Sequence, residues 1–278
     1  MRIDAHQHFW QLSRGDYGWL TPDLGPIYRD FGPDDLKPLI KAARIDRTIL
    51  VQAAPTEAET AFLLEIARNE PMVAGVVGWA DFDAPDIEAR IAAVAQEPLL
   101  VGLRPMIQDI ADPDWMLSPR VDSALRAMAR HGLVFDALVK PVHLANLLEL
   151  ATRHPQLIIV IDHCAKPDIA AGHFESWSNA MARLATLPHV AVKLSGLLTE
   201  AGLAGAAAVP AYLQRALQLF GVNRAIFGSD WPVLNLCEHY VRWINIVEEQ
   251  VASLSGADRA AIMGGNAARL YLSARGRR

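Results

Sequence analysis

His6 and His8 stand two residues apart in "DAHQHFW" (residues 4–10), at the end of a strand-like run. Side chains of an extended chain alternate in direction, so the two imidazoles share one side and Gln7 faces the other. Such a pair suits a divalent metal ion, or two hydrogen bonds to one substrate, because neutral imidazole nitrogens are good ligands for zinc-like ions. A metal site needs three or four ligands, so an isolated pair is equally well read as two polar residues at a strand end. Other groups able to do chemistry recur along the chain: Gln52, Trp79 with Asp81, Arg104, Asp136 with Lys140, His163 with Lys166, Lys193 with Ser195, and Asp230 with Trp231. Each ends a short apolar run. Singly they have plain readings, with Asp81 capping a helix, Asp136 paired to Lys140 and Lys166 solvated. Together they ask for a common explanation, since burying charge without a ligand or partner is costly.

The runs that carry them are "RIDAH" from Arg2, "RTILVQA" from Arg47, "MVAGVVGWA" from Met72, "LLVGLRPM" from Leu99, "LVFDALV" from Leu133, "LIIVIDH" from Leu157, "VAVKLSG" from Val190 and "RAIFGSD" from Arg224. Most are continuous apolar stretches rich in β-branched residues, the mark of strands covered on both faces in a parallel sheet. Helical spacing appears between them: Glu57–Asn69 with Ala61, Leu64, Ile66 and Ala67 inward, and Arg120–Arg130 with Val121, Leu125 and Met128 inward. Leu144–Arg153, Ala207–Phe220 and Glu238–Val251 follow the same pattern. Eight strand–helix repeats predict an α/β chain folded as one (β/α)8 TIM barrel over residues 1–278. A doubly wound open sheet is the competing architecture, but no GxGxxG follows the first strand. In a barrel the C-terminal strand ends converge on one mouth, which is the common explanation sought. Residues 11–33 and 109–119 are long connections of the kind that lie over such a mouth.

Composition narrows the partners. The chain is 52% hydrophobic and 21% charged, with a formal net charge of -5. It carries no electrostatic footprint for nucleic acid or an anionic membrane. Two cysteines, Cys164 and Cys237, provide neither a disulfide framework nor a Cys-rich zinc site. With no signal-like N-terminus and no apolar run of about 18 residues, the expectation is a cytoplasmic protein acting on a small molecule, as a monomer or a homo-oligomer.

"DAHQHFW" at the first strand, "VIDHCAKP" (160–167) at the sixth and "FGSDWP" (227–232) at the eighth resemble the amidohydrolase superfamily, in particular its branch of sugar-lactone and pyrone-dicarboxylate lactonases. The resemblance spans essentially the whole chain. It implies that His6 and His8 are the first-strand pair, His163 the sixth-strand histidine and Asp230 the last-strand aspartate. Arg104 stands where a two-metal member carries a bridging lysine or glutamate, and His143 lies beyond the end of the fifth strand. The expectation is therefore one divalent ion, Zn2+, on His6, His8, His163 and Asp230, or no ion, rather than a binuclear centre.

The implied reaction is opening of an aldonolactone such as L-fuconolactone. Asp230 acts as general base toward water and returns the proton to the departing alkoxide, and the rate is expected to fall at acid pH as this carboxylate protonates. Arg104, Lys193 and Lys140 are the expected contacts to the oxyanion and sugar oxygens. His163 binds the ion, polarises the carbonyl or orients Asp230. Trp79, Trp231 and His143 are further substrate-contact expectations, and Trp10, Trp19 and Trp115 have flat faces that suit a sugar ring or core packing. Cys164 is expected to point away along its strand, and His131, His154, His173, His189 and His239 to lie on the surface. The alternatives are a metal-dependent non-oxidative decarboxylase, a lactonase for a carboxylated pyrone or muconolactone, and an inactive barrel serving as a binding module.

Overall fold

The computed structural model describes residues 1–273. Eight strands, β1 (Ile3–Gln7), β2 (Arg47–Val51), β3 (Val73–Gly78), β4 (Leu100–Leu103), β5 (Val134–Ala137), β6 (Ile159–Ile161), β7 (Val190–Leu194) and β8 (Ala225–Phe227), pair in parallel in sequence order. Just beyond β8, the amide of Asp230 donates to His6 O and that of His8 to Trp231 O, both at 2.8 Å, which brings the last strand back against the first. All eight expected strands form, so the (β/α)8 reading holds. Helices α1 (Pro33–Ala43), α2 (Glu57–Asn69), α3 (Ile87–Val94), α4 (Pro119–His131), α5 (Leu144–Arg153), α6 (Phe174–Ala185), α7 (Leu197–Gly205), α8 (Val209–Phe220), α9 (Tyr240–Val251) and α10 (Gly256–Ala260) surround the strands. No helix among the described residues is long and apolar enough to cross a membrane.

Local chemistry sets the helix ends. The Thr56 hydroxyl accepts from Glu59 N at 3.0 Å and caps α2, while Ser118 caps α4, which has Pro119 in its first turn and ends on the left-handed Gly132. The buried face of α2 is Glu59, Thr60, Leu63, Leu64 and Ala67. Ala61 is exposed and Ile66 half-buried, so the expected face is rotated, and it carries an acid. Glu59 is drawn in because its carboxylate accepts from the amides of Ala53, at 3.0 and 3.1 Å, and Ala54, at 2.6 Å, which ties down the turn after β2.

The barrel interior is a small apolar cluster with residues from every strand, among them Ile3, Ala5, Ile49, Val51, Val77, Val101, Val134, Val160, Ala191 and Ile226. Ala267, Leu270 and Tyr271 of the C-terminal segment join it. That segment is anchored by Asn266, whose side-chain amide donates to Val222 O and Ala225 O at 2.7 and 2.8 Å. Two residues along from Val134, Val160 and Ala191, on the same strand face, come Asp136, Asp162 and Lys193. The interior therefore changes from apolar to charged toward the C-terminal ends.

Candidate active site

His6 reaches this charged layer through an irregularity in β1. Ile3 and Ala5 face the interior, and strict alternation would turn His6 outward. The β1–β2 register slips between Asp4 and Gln7, so His6 and His8 both face the mouth while Gln7 donates to Thr48 Oγ1 at 3.1 Å. Asp4, which the sequence reading passed over, braces the slip. Its carboxylate accepts from His6 N (3.1 Å), Ser229 N (2.9 Å), Ser229 Oγ (2.6 Å) and Tyr240 Oη (2.9 Å).

A second irregularity aims His163. With Val160 and Asp162 inward, His163 should point outward. Instead β6 runs into a left-handed turn, with φ of 51°, 51°, 63° and 48° at His163, Cys164, Ala165 and Lys166, which swings the imidazole back over the mouth. Side-chain-bearing residues adopt this region at a cost of order 1–3 kcal/mol each. Hydrogen bonds offset part of that: Trp177 Nε1 donates to Cys164 O at 2.7 Å, and Lys166 N to His163 O at 2.9 Å. Cys164 was expected to point away from His163 by strand alternation; it lies instead in this turn, buried, and burial pushes its thiol well above the usual range.

Three imidazoles converge on Asp230. From its Oδ1, His8 Nε2 lies at 3.2 Å, His6 Nε2 at 3.7 Å and His163 Nε2 at 3.8 Å. His8 Nδ1 lies 2.8 Å from Val51 O. A carbonyl only accepts, so the proton of neutral His8 sits on Nδ1 and the lone pair of Nε2 faces the carboxylate. Likewise His6 Nδ1 faces Asp162 Oδ1 at 3.4 Å, leaving Nε2 unprotonated. Burial, helped by the neighbouring Lys193 and His163, lowers the His6 pKa well below its ordinary value, and burial brings that of His163 down to about 4. The His6 Nε2 lone pair accepts from Arg104 Nη1 at 3.2 Å, so a positive group already sits beside it; His6, His8 and Asp230 still form a ligand triad, with donor atoms within 4.8 Å, of types that fit a cation.

A second possible triad, His6, Asp162 and His163, is already supplied with positive charge. Asp162 Oδ1 lies 3.0 Å from Lys193 Nζ and Oδ2 lies 3.3 Å from Arg104 Nη1. Burial works against ionisation of Asp162, but Lys193, His6 and Arg104 outweigh it and hold the carboxyl well below the usual range. Asp230 is likewise opposed by burial and held down by His163, His8 and His6. It stays ionised at ordinary acid pH, so the acid limb expected from its protonation is withdrawn.

A cavity of about 170 Å3 opens above these groups, lined by His8, Arg104, His163 and Asp230 at its floor. Trp19, Met106, Gln108 and Lys166 belong to its walls. A larger annex of about 500 Å3 shares Trp19, Met106 and Asp109 with it and adds Asp16, Asp81, Asp83, Trp79 and Trp115. Of the residues expected to touch substrate, Arg104 and His163 line the cavity, Trp19 lines both spaces, and Trp79 and Trp115 line the annex. Lys193, Lys140, His143, Trp231 and Trp10 lie elsewhere. Lys193 is fully buried, paired with Asp136 and Asp162 below His6; Asp136 thus pairs with Lys193 and not with Lys140. Lys140 is exposed and donates to Gln108 O at 3.1 Å, and His143 is buried, accepting from Lys140 N at 3.1 Å. Trp231 packs edge-on against Phe31, with ring centroids 5.2 Å apart, and Trp10 against Trp19 and Phe31 at 5.5 Å, so both are core residues that pin the 11–32 connection. His154 is also buried, 2.8 Å from Asp122, and not on the surface.

Asp162 was missed although its signal was in the sequence: it lies two residues from the inward Val160. The family model for amidohydrolases matches residues 3–272. The chain belongs to the amidohydrolase family. Within it, the chain is 48% identical to an L-fucono-1,5-lactonase of Burkholderia ambifaria over 97% of this chain and 95% of that one. It is 40% identical to an L-fucono-1,5-lactonase of Burkholderia multivorans, over 98% and 96% of the two chains. A solved Burkholderia multivorans amidohydrolase with bound zinc superposes with a TM-score of 0.91 at 38% identity, covering 98% of this chain and 99% of that one.

Proposed function

We propose that this amidohydrolase opens a sugar lactone to the free acid, with L-fucono-1,5-lactone as the first substrate to test. The observation that carries the reading is the placement of Asp230, an ionised carboxylate ringed by three imidazoles at the floor of a cavity. The full-length likeness to two L-fucono-1,5-lactonases supports the substrate class.

A lactone is an ester, with a more electrophilic carbonyl and a better leaving group than an amide, so the demand on the protein is positioning and proton transfer. Asp230 takes the proton from the attacking water and returns it to the ring oxygen as the C–O bond breaks. The Ser195 hydroxyl lies 2.9 Å from His163 Nδ1. When that hydroxyl donates, His163 carries its proton on Nε2 and presents it to the lactone carbonyl. Arg104 adds positive charge at the same floor, braced by Gln52 O and Gln52 Oε1 and by Asp162. His6, His8 and Asp230 are the residues that fit a divalent ion, zinc being the first to try. Such an ion supplies Lewis-acid polarisation of the carbonyl or of the water.

The walls favour a neutral polyol over a carboxylated pyrone. Asp16, Asp81, Asp83 and Asp109 line the annex, and Lys166 at the cavity is paired with Glu200 at 3.1 Å. A pH-stat assay against L-fucono-1,5-lactone, other sugar lactones and pyrone dicarboxylate, with and without chelator, tests the reading. One proton released per sugar lactone consumed, without CO2, is expected. Silence on every sugar lactone, or CO2 evolution from an aromatic acid, would refute it.

A further inference from the structure

The floor cavity and its annex differ in size and in lining. At about 170 Å3 the floor cavity falls below the usual range for a small-molecule site, about 300–1,000 Å3, whereas the annex at about 500 Å3 lies within it. Asp230, His163 and Arg104, the groups proposed for lactone opening, all line the floor, so the reaction makes no use of the annex. The two spaces are nevertheless continuous, since Trp19, Met106 and Asp109 line both.

Two kinds of group make up the annex. Trp19, Trp79 and Trp115 are half-buried there, and two of them have the indole N–H tied to the protein, Trp19 to Ala53 O at 2.7 Å and Trp115 to Asp83 Oδ2 at 2.8 Å. What these two leave for a ligand is ring surface. Asp16, Asp81, Asp83 and Asp109 supply carboxylates, and no lysine, arginine or histidine is among the described residues that line the space. Aromatic faces suit the C–H faces of a sugar ring, and carboxylates accept from its hydroxyls. The same acids repel an anion. They would also attract an organic cation, but the space is far larger than an ammonium group, and Asp16 is already paired with Arg14 at 2.7 Å.

We propose that the annex binds a second, neutral sugar ring, so that the enzyme opens the lactone end of a disaccharide acid in preference to a single-ring lactone. The reaction arm of the test rests on the proposed lactonase reading, while the binding arm does not. The chemistry at the floor is unchanged. The oxygen of water bonds to the lactone carbonyl carbon, the bond from that carbon to the ring oxygen breaks, and Asp230 passes the proton of water to the ring oxygen. The new carboxylic acid then releases its proton to solvent, and the glycosidic bond stays intact.

The probes are lactones made by oxidising disaccharides whose reducing residue is that of the best single-ring substrate, with glucose attached at each of its free hydroxyls in turn. At least one is expected to exceed the single-ring lactone in kcat/KM by about tenfold, the scale of one good aromatic contact, and chiefly through KM. Trp115→Leu should erase that margin and leave kcat/KM on the single ring within about twofold. In the wild type, glucuronic acid in place of glucose should erase it too, which decides the matter if Trp115→Leu does not fold. No margin on any disaccharide lactone would overturn the proposal, as would a margin that survives in folded Trp115→Leu or with glucuronic acid. A margin gained only when the second ring carries an ammonium group would make the annex a cation site and overturn it as well. If no lactone is turned over, the lactonase reading fails and calorimetric binding of the corresponding acids decides this one. Tighter binding of a disaccharide acid than of the single-ring acid, lost in Trp115→Leu, would support it, and equal binding would overturn it.

Discussion

Two residues at the cavity floor differ in what their removal should do. Asp230→Asn keeps shape and loses basicity. It is expected to fold normally and still bind substrate or product, with kcat down by about 10²–10⁴, the range for general acid–base catalysis; turnover within a few-fold of wild type would pass the role to His163. Because its neighbours hold Asp230 well below the usual carboxylate range, wild-type activity should persist to about pH 4, where His163 takes up a proton. Arg104→Met is expected to lower kcat/KM by about two orders of magnitude, as for a lost oxyanion donor. The change should also cost stability, since Arg104 is buried and one of the two fixed cations on Asp162. Breaking such a pair costs about 3 kcal/mol or more, and a melting temperature equal to wild type would show that the Asp162 contact is weak.

Elements aim these groups, and the left-handed turn after β6 is the most exposed to a small change. Gly196 (φ +67°) sits against it: a Cβ there would lie 2.5 Å from His163 Nδ1. Gly196→Ala should push the His163 ring out of place, and kcat should drop by about 10², the scale of a misplacement near 1 Å. Gly172 (φ +73°) has nothing within 4 Å of a Cβ, so Gly172→Ala carries similar backbone strain and should leave kcat unchanged. Equal losses in the two variants would mean that strain, and not contact with His163, is responsible. The legibility of elements followed the same division. The α2 span was readable from its apolar spacing, but its buried face was not. Glu59 turns inward for three amide hydrogen bonds supplied by another segment.

At the scale of the whole molecule, two quantities can be measured on the intact chain. The two ligand triads share His6, and Asp162 of the second is already paired with Lys193 and Arg104. Elemental analysis is therefore expected to return no more than about one tightly bound divalent ion per chain, and two equivalents would overturn this. Stability should also depend on pH through Glu59, whose carboxyl burial pushes up to about 7 from an ordinary value of 4.5. A raised folded-state pKa means that the folded chain holds the proton more tightly. The contribution of Glu59 is then full below about pH 4.5 and is lost as pH rises through 7. Denaturant titrations should show wild-type stability falling across that window relative to Glu59→Gln, and parallel profiles would assign the slope to other groups.

The eight strands, their order of appearance, the mouth to which His6, His8, Arg104, His163 and Asp230 belong and the family likeness were legible from the sequence, because apolar runs and strand–helix alternation are local properties written residue by residue. Asp162 was legible in principle, by its two-residue spacing from Val160. Local alternation does not reveal its own interruptions. The register slip in β1 that turns His6 inward depends on Asp4 meeting Ser229 and Tyr240 from the far end of the chain. The left-handed turn that recovers His163 depends on Trp177, the burial of Lys193 on Asp136, and that of Asp136 on Tyr271. Those choices are made by partners 13 to 236 residues away in sequence, and only the closed barrel brings them within hydrogen-bonding distance.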